Sequence, residues 1–277
     1  MTTVDDALAL TDDHEVPTGP SWVLRDSWTE ALRHLRAIPR SPELAVFSVV
    51  QPVMFVLLFV YVFGGAFDAG IPFYEDNYKQ FLIPGIFSQT ILFGTAFTSV
   101  GVAEDLSKGI IDRLRSLPIA SASVLLGRTL SDLARNLLTF VVMIAVAFAI
   151  GFRFEGGLFD AVVATLLLFG FSYAFSWIQA LIGLSVGSVE AANSAGFIWM
   201  FPLTFLSSAF VPPSTMPGWL EPIAENNPFT TVTDATRALY NGLPPGNDLW
   251  LSIAWAVGIT VVFAALSIRK FASATSS

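Results

Sequence analysis

Residues 161–189 read AVVATLLLFGFSYAFSWIQALIGLSVGSV and contain no Asp, Glu, Lys or Arg. An α-helix rises about 1.5 Å per residue, so roughly 20 apolar residues cross the ~30 Å hydrocarbon of a bilayer. A surface helix of a water-soluble domain would show a charged stripe within that length. The segment therefore predicts a membrane span from about Phe159 to Gly187.

Comparable apolar stretches precede it at Leu44–Phe63, Phe81–Ala103 and Val124–Ile150, and follow it at Ala192–Val211 and Leu249–Ile268. Together they predict six spans in an all-α integral membrane protein. Composition agrees: of 277 residues 54% are hydrophobic and 13% charged, with mean hydropathy +0.66. Soluble domains carry about 25% charged residues, too many for lipid and too few here for water.

Cation placement sets the expected orientation. Of the 14 Lys and Arg, all but Lys79, Arg153 and Arg237 fall on one side of the six spans. Arg25, Arg33, Arg36 and Arg40 precede the first span, and Lys108, Arg113, Arg115, Arg128 and Arg135 surround the connection between the second and third. Arg269 and Lys270 follow the sixth span. Both termini are expected in the cytoplasm, as an even number of spans requires.

The net charge of −8 argues against a nucleic-acid partner. Asp5, Asp6, Asp12, Asp13 and Glu15 concentrate acid in residues 1–20, which read as a disordered tail. Residues 21–270 form the expected transmembrane domain, with a short C-terminal tail at 271–277.

Residues 22–38 have helical periodicity. Leu24, Trp28, Ala31, Leu32, Leu35 and Ile38 share one face, with Arg25, Arg33 and Arg36 along its borders. Pro39 and Pro42 follow. Such a helix fits the membrane interface, or alternatively a soluble partner's surface. Between Glu104 and Pro118, Ile110, Leu114 and Leu117 share a second apolar face, with Asp112, Arg113 and Arg115 around it. This loop is either a solvated connector or a short helix that docks in a partner's groove. Residues 212–248 combine Pro212, Pro213, Pro217, Pro222 and Pro228 with Trp219, Ile223 and Phe229. Asn227 followed by Pro228 reads as a helix cap and first position. The segment predicts short helices re-entering the membrane, or else a hydrophobic surface loop.

Several chemistries have no residues to carry them. Lys79, Lys108 and Lys270 all lie outside a Gly-Lys-Ser/Thr context, so no phosphate-binding P-loop is encoded. Zero cysteines exclude disulfides and thiolate metal sites, and His14 and His34 lack acidic neighbours at ligand spacing. Ion-coupled carriers place ionisable groups inside the membrane. Here only Arg128, Asp132 and Arg135 enter a span, at spacings that let them neutralise one another. Gly183 and Gly187 form a small-xxx-small pair suited to close helix packing.

The ordered blocks QPVMFVLLF at 51–59, YVFGG at 61–65, FLIPG at 81–85, the loop 104–118 and Gly127-Arg128 are joined by Asp132, Arg135-Asn136 and EAA at 190–192. FPLTF at 201–205, SSAFVP at 207–212, TMPGWL at 215–220, Asn227-Pro228 and DATRAL at 234–239 complete the series. This order resembles the daunorubicin-resistance permease family of type-2 ABC exporters. The resemblance implies an interfacial helix containing Trp28, Leu32, Arg33 and Arg36. It also implies a cytoplasmic coupling helix, in which Glu104, Asp105, Lys108, Gly109, Asp112, Arg113, Arg115 and Pro118 transmit ATPase closure. An outer re-entrant gate would involve Pro212, Pro217, Trp219, Asn227 and Pro228. Two ATPase chains would bind ATP and magnesium, this chain would hold no cofactor, and a second permease copy would complete a homodimer in the bacterial plasma membrane. The implied activity is export of a hydrophobic or amphipathic drug or lipid. A lipid-linked polysaccharide exporter and a non-transporting structural or sensory subunit are the alternatives.

The double change Arg113→Glu with Arg115→Glu should abolish most ATP-driven export while the protein still reaches the membrane. Transport and membrane-fraction assays on that variant check it, and normal export refutes the assigned role.

Overall fold

The computed structural model describes residues 42–63, 78–109 and 121–273, and helix is the regular secondary structure among them. The acidic tail, the 22–38 helix and residues 110–118 of the loop lie outside that set. Helix α1 (Pro42–Leu57) passes into a π-helical turn at Leu58–Phe63. Helices α2 (Tyr78–Gly94) and α3 (Ala96–Ser107) are nearly continuous, interrupted at Thr95. Long helices α4 (Ser121–Ala149) and α5 (Gly157–Gly183) follow. Short helices α6 (Val189–Ile198), α7 (Met200–Phe205) and α8 (Glu221–Glu225) lead to α9 (Pro228–Tyr240) and the last long helix, α10 (Gly246–Ser273).

Among the described residues, four helical stretches are long and apolar enough to cross a bilayer: Tyr78–Ser107, Leu125–Ala149, Gly157–Gly183 and Gly246–Ala272. They coincide with the second, third, fourth and sixth apolar segments of the sequence. A shorter apolar helix, Val50–Val62, falls in the first segment. The fifth segment, expected to run unbroken over Ala192–Val211, instead divides at Trp199 and leaves the helix after Phe205. Pro202 explains the division. It has no N–H for the Ile198 carbonyl, and its ring crowds that carbonyl one turn back. The last helix also runs beyond the boundary read at residue 270, and Phe271 is buried against Val102, Leu125 and Trp177.

Polarity is inverted relative to a water-soluble bundle. Leu158, Phe159, Leu166, Trp250, Val257 and Val261 stand exposed on α5 and α10. Gln89, Thr98, Ser99, Asp132, Asn136 and Gln179 are buried. Lipid outside and polar pairing inside satisfy both sets. The α2–α3 stretch is the interior one, with 83% of its apolar window buried against 17% for α10. Phe87 sits at the centre, edge-on to Phe140, Phe152 and Tyr240 at centroid distances of 5.1, 5.9 and 6.0 Å.

Helix α5 crosses α3 through one glycine of the expected pair. A Cβ at Gly183 would fall 2.5 Å from the Ser99 carbonyl oxygen, whereas at Gly187 it would meet nothing within 4 Å. Gly187 lies past the end of α5, so it has no part in this crossing. Gly183→Ala should therefore cost about 1–3 kcal/mol by overpacking and lower Tm by several degrees. Gly187→Ala should leave Tm unchanged; thermal unfolding of both variants in detergent tests the contrast.

Candidate functional site

A helix interrupted in an apolar medium frees carbonyls that no water can reach, so other side chains must bond them. At the α2–α3 break the Thr95 N–H bonds back to the Leu92 carbonyl and the Thr98 N–H to that of Thr95. Both are i→i−3 contacts, so the carbonyls of Ile91 and Gly94 lose their usual partners four residues on. Helix α4 supplies replacements. Asn136 Nδ2 donates to Ile91 O at 3.2 Å, and Arg135 Nη2 donates to Gly94 O at 3.3 Å.

Arg135 belongs to a chain of alternating charge. It pairs with Asp132 at 2.9 Å, Asp132 faces Arg128 at 3.5 Å, and Arg128 reaches Asp105 at 3.7 Å. Thr98 Oγ1 donates to Asp132 at 2.6 Å, and the Arg135 guanidinium lies 4.4 Å over the Phe97 ring. Two carboxylates and two guanidiniums make the row neutral, as partly buried charges in a membrane protein require. Gly101 makes room for it, since a Cβ there would lie 1.5 Å from the Arg128 Nη2. The spacing of Arg128, Asp132 and Arg135 was legible from sequence. Their extension to Asp105 was not, because it joins separate helices.

Asp105 is thus held inside the chain rather than presented alone. Beside it Glu104 and Lys108 form an exposed i,i+4 pair at 3.0 Å. Lys108 ends α3, its N–H bonding to the Glu104 carbonyl at 3.0 Å. Gly109 then turns the chain at φ +65°, a conformation open to glycine without a Cβ penalty. Of the residues assigned to the coupling segment, Asp112, Arg113, Arg115 and Pro118 lie outside the described residues, as do Trp28, Leu32, Arg33 and Arg36.

The opposite end of the bundle has a second set of bonds. Asn227 caps α9 by accepting from the Phe229 N–H at 2.8 Å, with Pro228 at the first helical position. Its Nδ2 also donates to the carbonyls of Leu203 and Leu206 at 2.7 and 2.6 Å, where α7 unwinds. Pro212 starts a single 3-10 turn (Pro213–Thr215), and the Pro217 carbonyl accepts from the Leu220 N–H at 2.7 Å. Trp219 is 72% exposed.

Arg237 anchors this end, a role its count as an outer cation did not reveal. It is buried, pairs with Asp234, and donates to Phe81 O at 2.9 Å and Ser208 O at 2.7 Å. Its guanidinium lies 3.8 Å over the Phe81 ring. Asn241 Nδ2 donates at 3.1 Å to the Gln80 carbonyl, which Pro84 leaves without a helical donor. The i,i+3 spacing of Asp234 and Arg237 was the available sequence signal.

The ABC-2 type transporter family profile matches residues 27–241. The chain is 33% identical over 243 residues to a daunorubicin resistance ABC transporter permease of Streptomyces coeruleorubidus, covering 88% of this chain and 84% of that one. It is 25% identical over 200 residues to a doxorubicin resistance ABC transporter permease of Mycobacterium tuberculosis, covering 69% and 68% respectively.

Asp132→Ala strands Arg135 beside Phe97 without its carboxylate and should cost about 3 kcal/mol. Asp105→Ala, whose carboxylate is 17% exposed against 3% for Asp132 and lies 3.7 Å from its arginine, should cost less, about 1 kcal/mol. Unfolding curves of the two variants measure this; equal losses would contradict the graded burial.

Proposed function

This chain belongs to the ABC-2 type transporter family as a permease subunit, and from that premise we propose that it exports a hydrophobic or amphipathic compound, drug or lipid, from the cytoplasm or inner leaflet. The observation that carries the mechanism is the neutral row Asp105–Arg128–Asp132–Arg135. It runs from the last turn of α3, where the 104–118 loop begins, to the broken backbone at Gly94.

A separate ATPase chain binds ATP and magnesium and seats the coupling segment that follows the turn at Gly109, where α3 has ended. Two such subunits serve a pair of permease copies. When they close on nucleotide, the coupling helix moves and carries Asp105 with it. Arg128 follows its carboxylate, and α4 transmits the shift to the carbonyls at the Thr95 break. The Asp132 carboxylate is 3% exposed, and a charge buried that far resists separation from its arginines more than an apolar contact resists sliding. The row therefore couples better than greasy packing would.

Six spans complete this reading: the four long helices, α1 with its π-helical turn, and the α6–α7 pair. Cation asymmetry supports termini and a 104–118 loop on the cytoplasmic side. Helices α8 and α9 then re-enter from the outer face, where Asn227 and Arg237 hold them against α7 and α2. Pro212, Pro217 and Trp219 belong to that outer gate. The interfacial role expected of residues 22–38, with Trp28, Leu32, Arg33 and Arg36, belongs to the same reading.

The test is purification of the full chain from its own membranes, then reconstitution of the resulting complex in liposomes. An ABC ATPase should copurify, and daunorubicin should stimulate its hydrolysis several-fold. Copurification without any stimulated transport across a panel of amphiphiles would favour a non-transporting subunit, and absence of an ATPase would refute the proposal outright.

A further inference from the structure

Ser99 stands where three helices meet. Its backbone carbonyl lies against Gly183 of α5, where a Cβ would come within 2.5 Å of the oxygen. Its hydroxyl lies against Gly196 of α6, where a Cβ would come within 2.7 Å of Oγ. Both neighbours lack the atom that would pin the serine in place. Ser99 is fully buried on α3, less than two turns before the Asp105 that opens the charged row.

The hydroxyl has one hydrogen and more acceptors than it can serve. It bonds Ala96 O at 2.8 Å within α3 and Ala192 O at 3.2 Å on α6. Both carbonyls lie inside helices that supply a backbone donor four residues on, so losing the hydroxyl strands neither. Across the same gap is an acceptor with nothing. Gln179 of α5 is fully buried, and its Oε1 has no hydrogen-bond partner among the described residues. Turning the amide round would not help, because its Nε2 donates to Gly196 O at 3.0 Å and an oxygen there would face that carbonyl. The Cβ position at Gly196 that lies 2.7 Å from Ser99 Oγ lies 2.9 Å from Gln179 Oε1. A donor and an unfilled acceptor thus face each other across a glycine, unbonded.

We propose that Ser99 and Gln179 are positioning residues of the transport step: the Ser99 hydroxyl ties α3 to α6 through Ala192 O in the arrangement described, and ties α3 to α5 through Gln179 Oε1 once α3 has moved. The exchange strands no carbonyl and fills the Gln179 acceptor. Both ends of the travel are bonded and the middle is not, which makes the joint two-state. Gly183 and Gly196 clear the path on either side. The inference rests on the permease reading and adds where the displacement of α3 is received, on α5 and α6 as well as on α4.

The complex copurified with its ATPase reports this through the rate of ATP hydrolysis. Nucleotide binds on the partner chain, so KM for ATP should stay the same while kcat responds to the movement. Ser99→Ala should lower kcat about five-fold, the factor one net hydrogen bond supplies. Gln179→Met removes the same bond and also releases Gly196 O, so it should lower both kcat and Tm. In the double variant kcat should match that of Gln179→Met alone, because the bond can be lost only once. The losses in Tm should add, since no bond joins the two side chains in the resting arrangement. Side chains that only pack would give one pattern in kcat and Tm alike. Losses in kcat that multiply in the double variant would overturn the proposal and leave Gln179 Oε1 to an ordered water. So would hydrolysis at the wild-type rate in Ser99→Ala, which decides alone if Gln179→Met does not fold. Absence of any copurifying ATPase refutes the permease reading itself, and this inference with it.

Discussion

An interrupted helix inside hydrocarbon must find hydrogen bonds for its freed carbonyls from other side chains, and this bundle is arranged around that need. The second span is broken at Thr95 and carries Pro84, yet it is the most enclosed of the long helices. Water cannot repair a break at that depth. The repair comes from Asn136 and Arg135 on one side and Asn241 on the other. The need to bring those side chains within 3.3 Å fixes where α4 and α9 sit against α2–α3.

The same need decides the polar content of the interior. An arginine recruited to a carbonyl brings a charge, which brings Asp132, which brings Arg128 and finally Asp105. The row is the electrostatic consequence of placing a guanidinium at the break. At the opposite end Arg237 serves Phe81 and Ser208 and brings Asp234. Both arginines also lie over phenylalanine rings, where the ring face offsets part of the lost hydration.

Such junctions suit a protein that must move. A continuous helix resists bending through its whole ladder of bonds, whereas a break concentrates change at a few torsions. Side chains that bond a freed carbonyl can follow it over a small shift without leaving it unsatisfied. The interruptions at Thr95 and Trp199 flank Ser99 and Gln179, whose contacts join α3, α5 and α6. A load at either end of the bundle meets these joints first.

Length and hydropathy were enough to make the chain a helical membrane protein and to place its four long helices within a few residues. Local chemistry was enough for the Asn227–Pro228 cap and the Arg128–Asp132–Arg135 spacing, because each lies within one turn or on one helix face. The break in the fifth apolar segment was also encoded locally, in Pro202, but hydropathy averages over a single missing N–H. What sequence could not give were contacts between helices: Asp105 with Arg128, Arg237 with Phe81, and Asn136 with Ile91. Apolarity says only that a segment is buried in lipid or protein. Which carbonyl meets which side chain depends on how the helices are rotated and crossed, and packing of the whole bundle alone sets that.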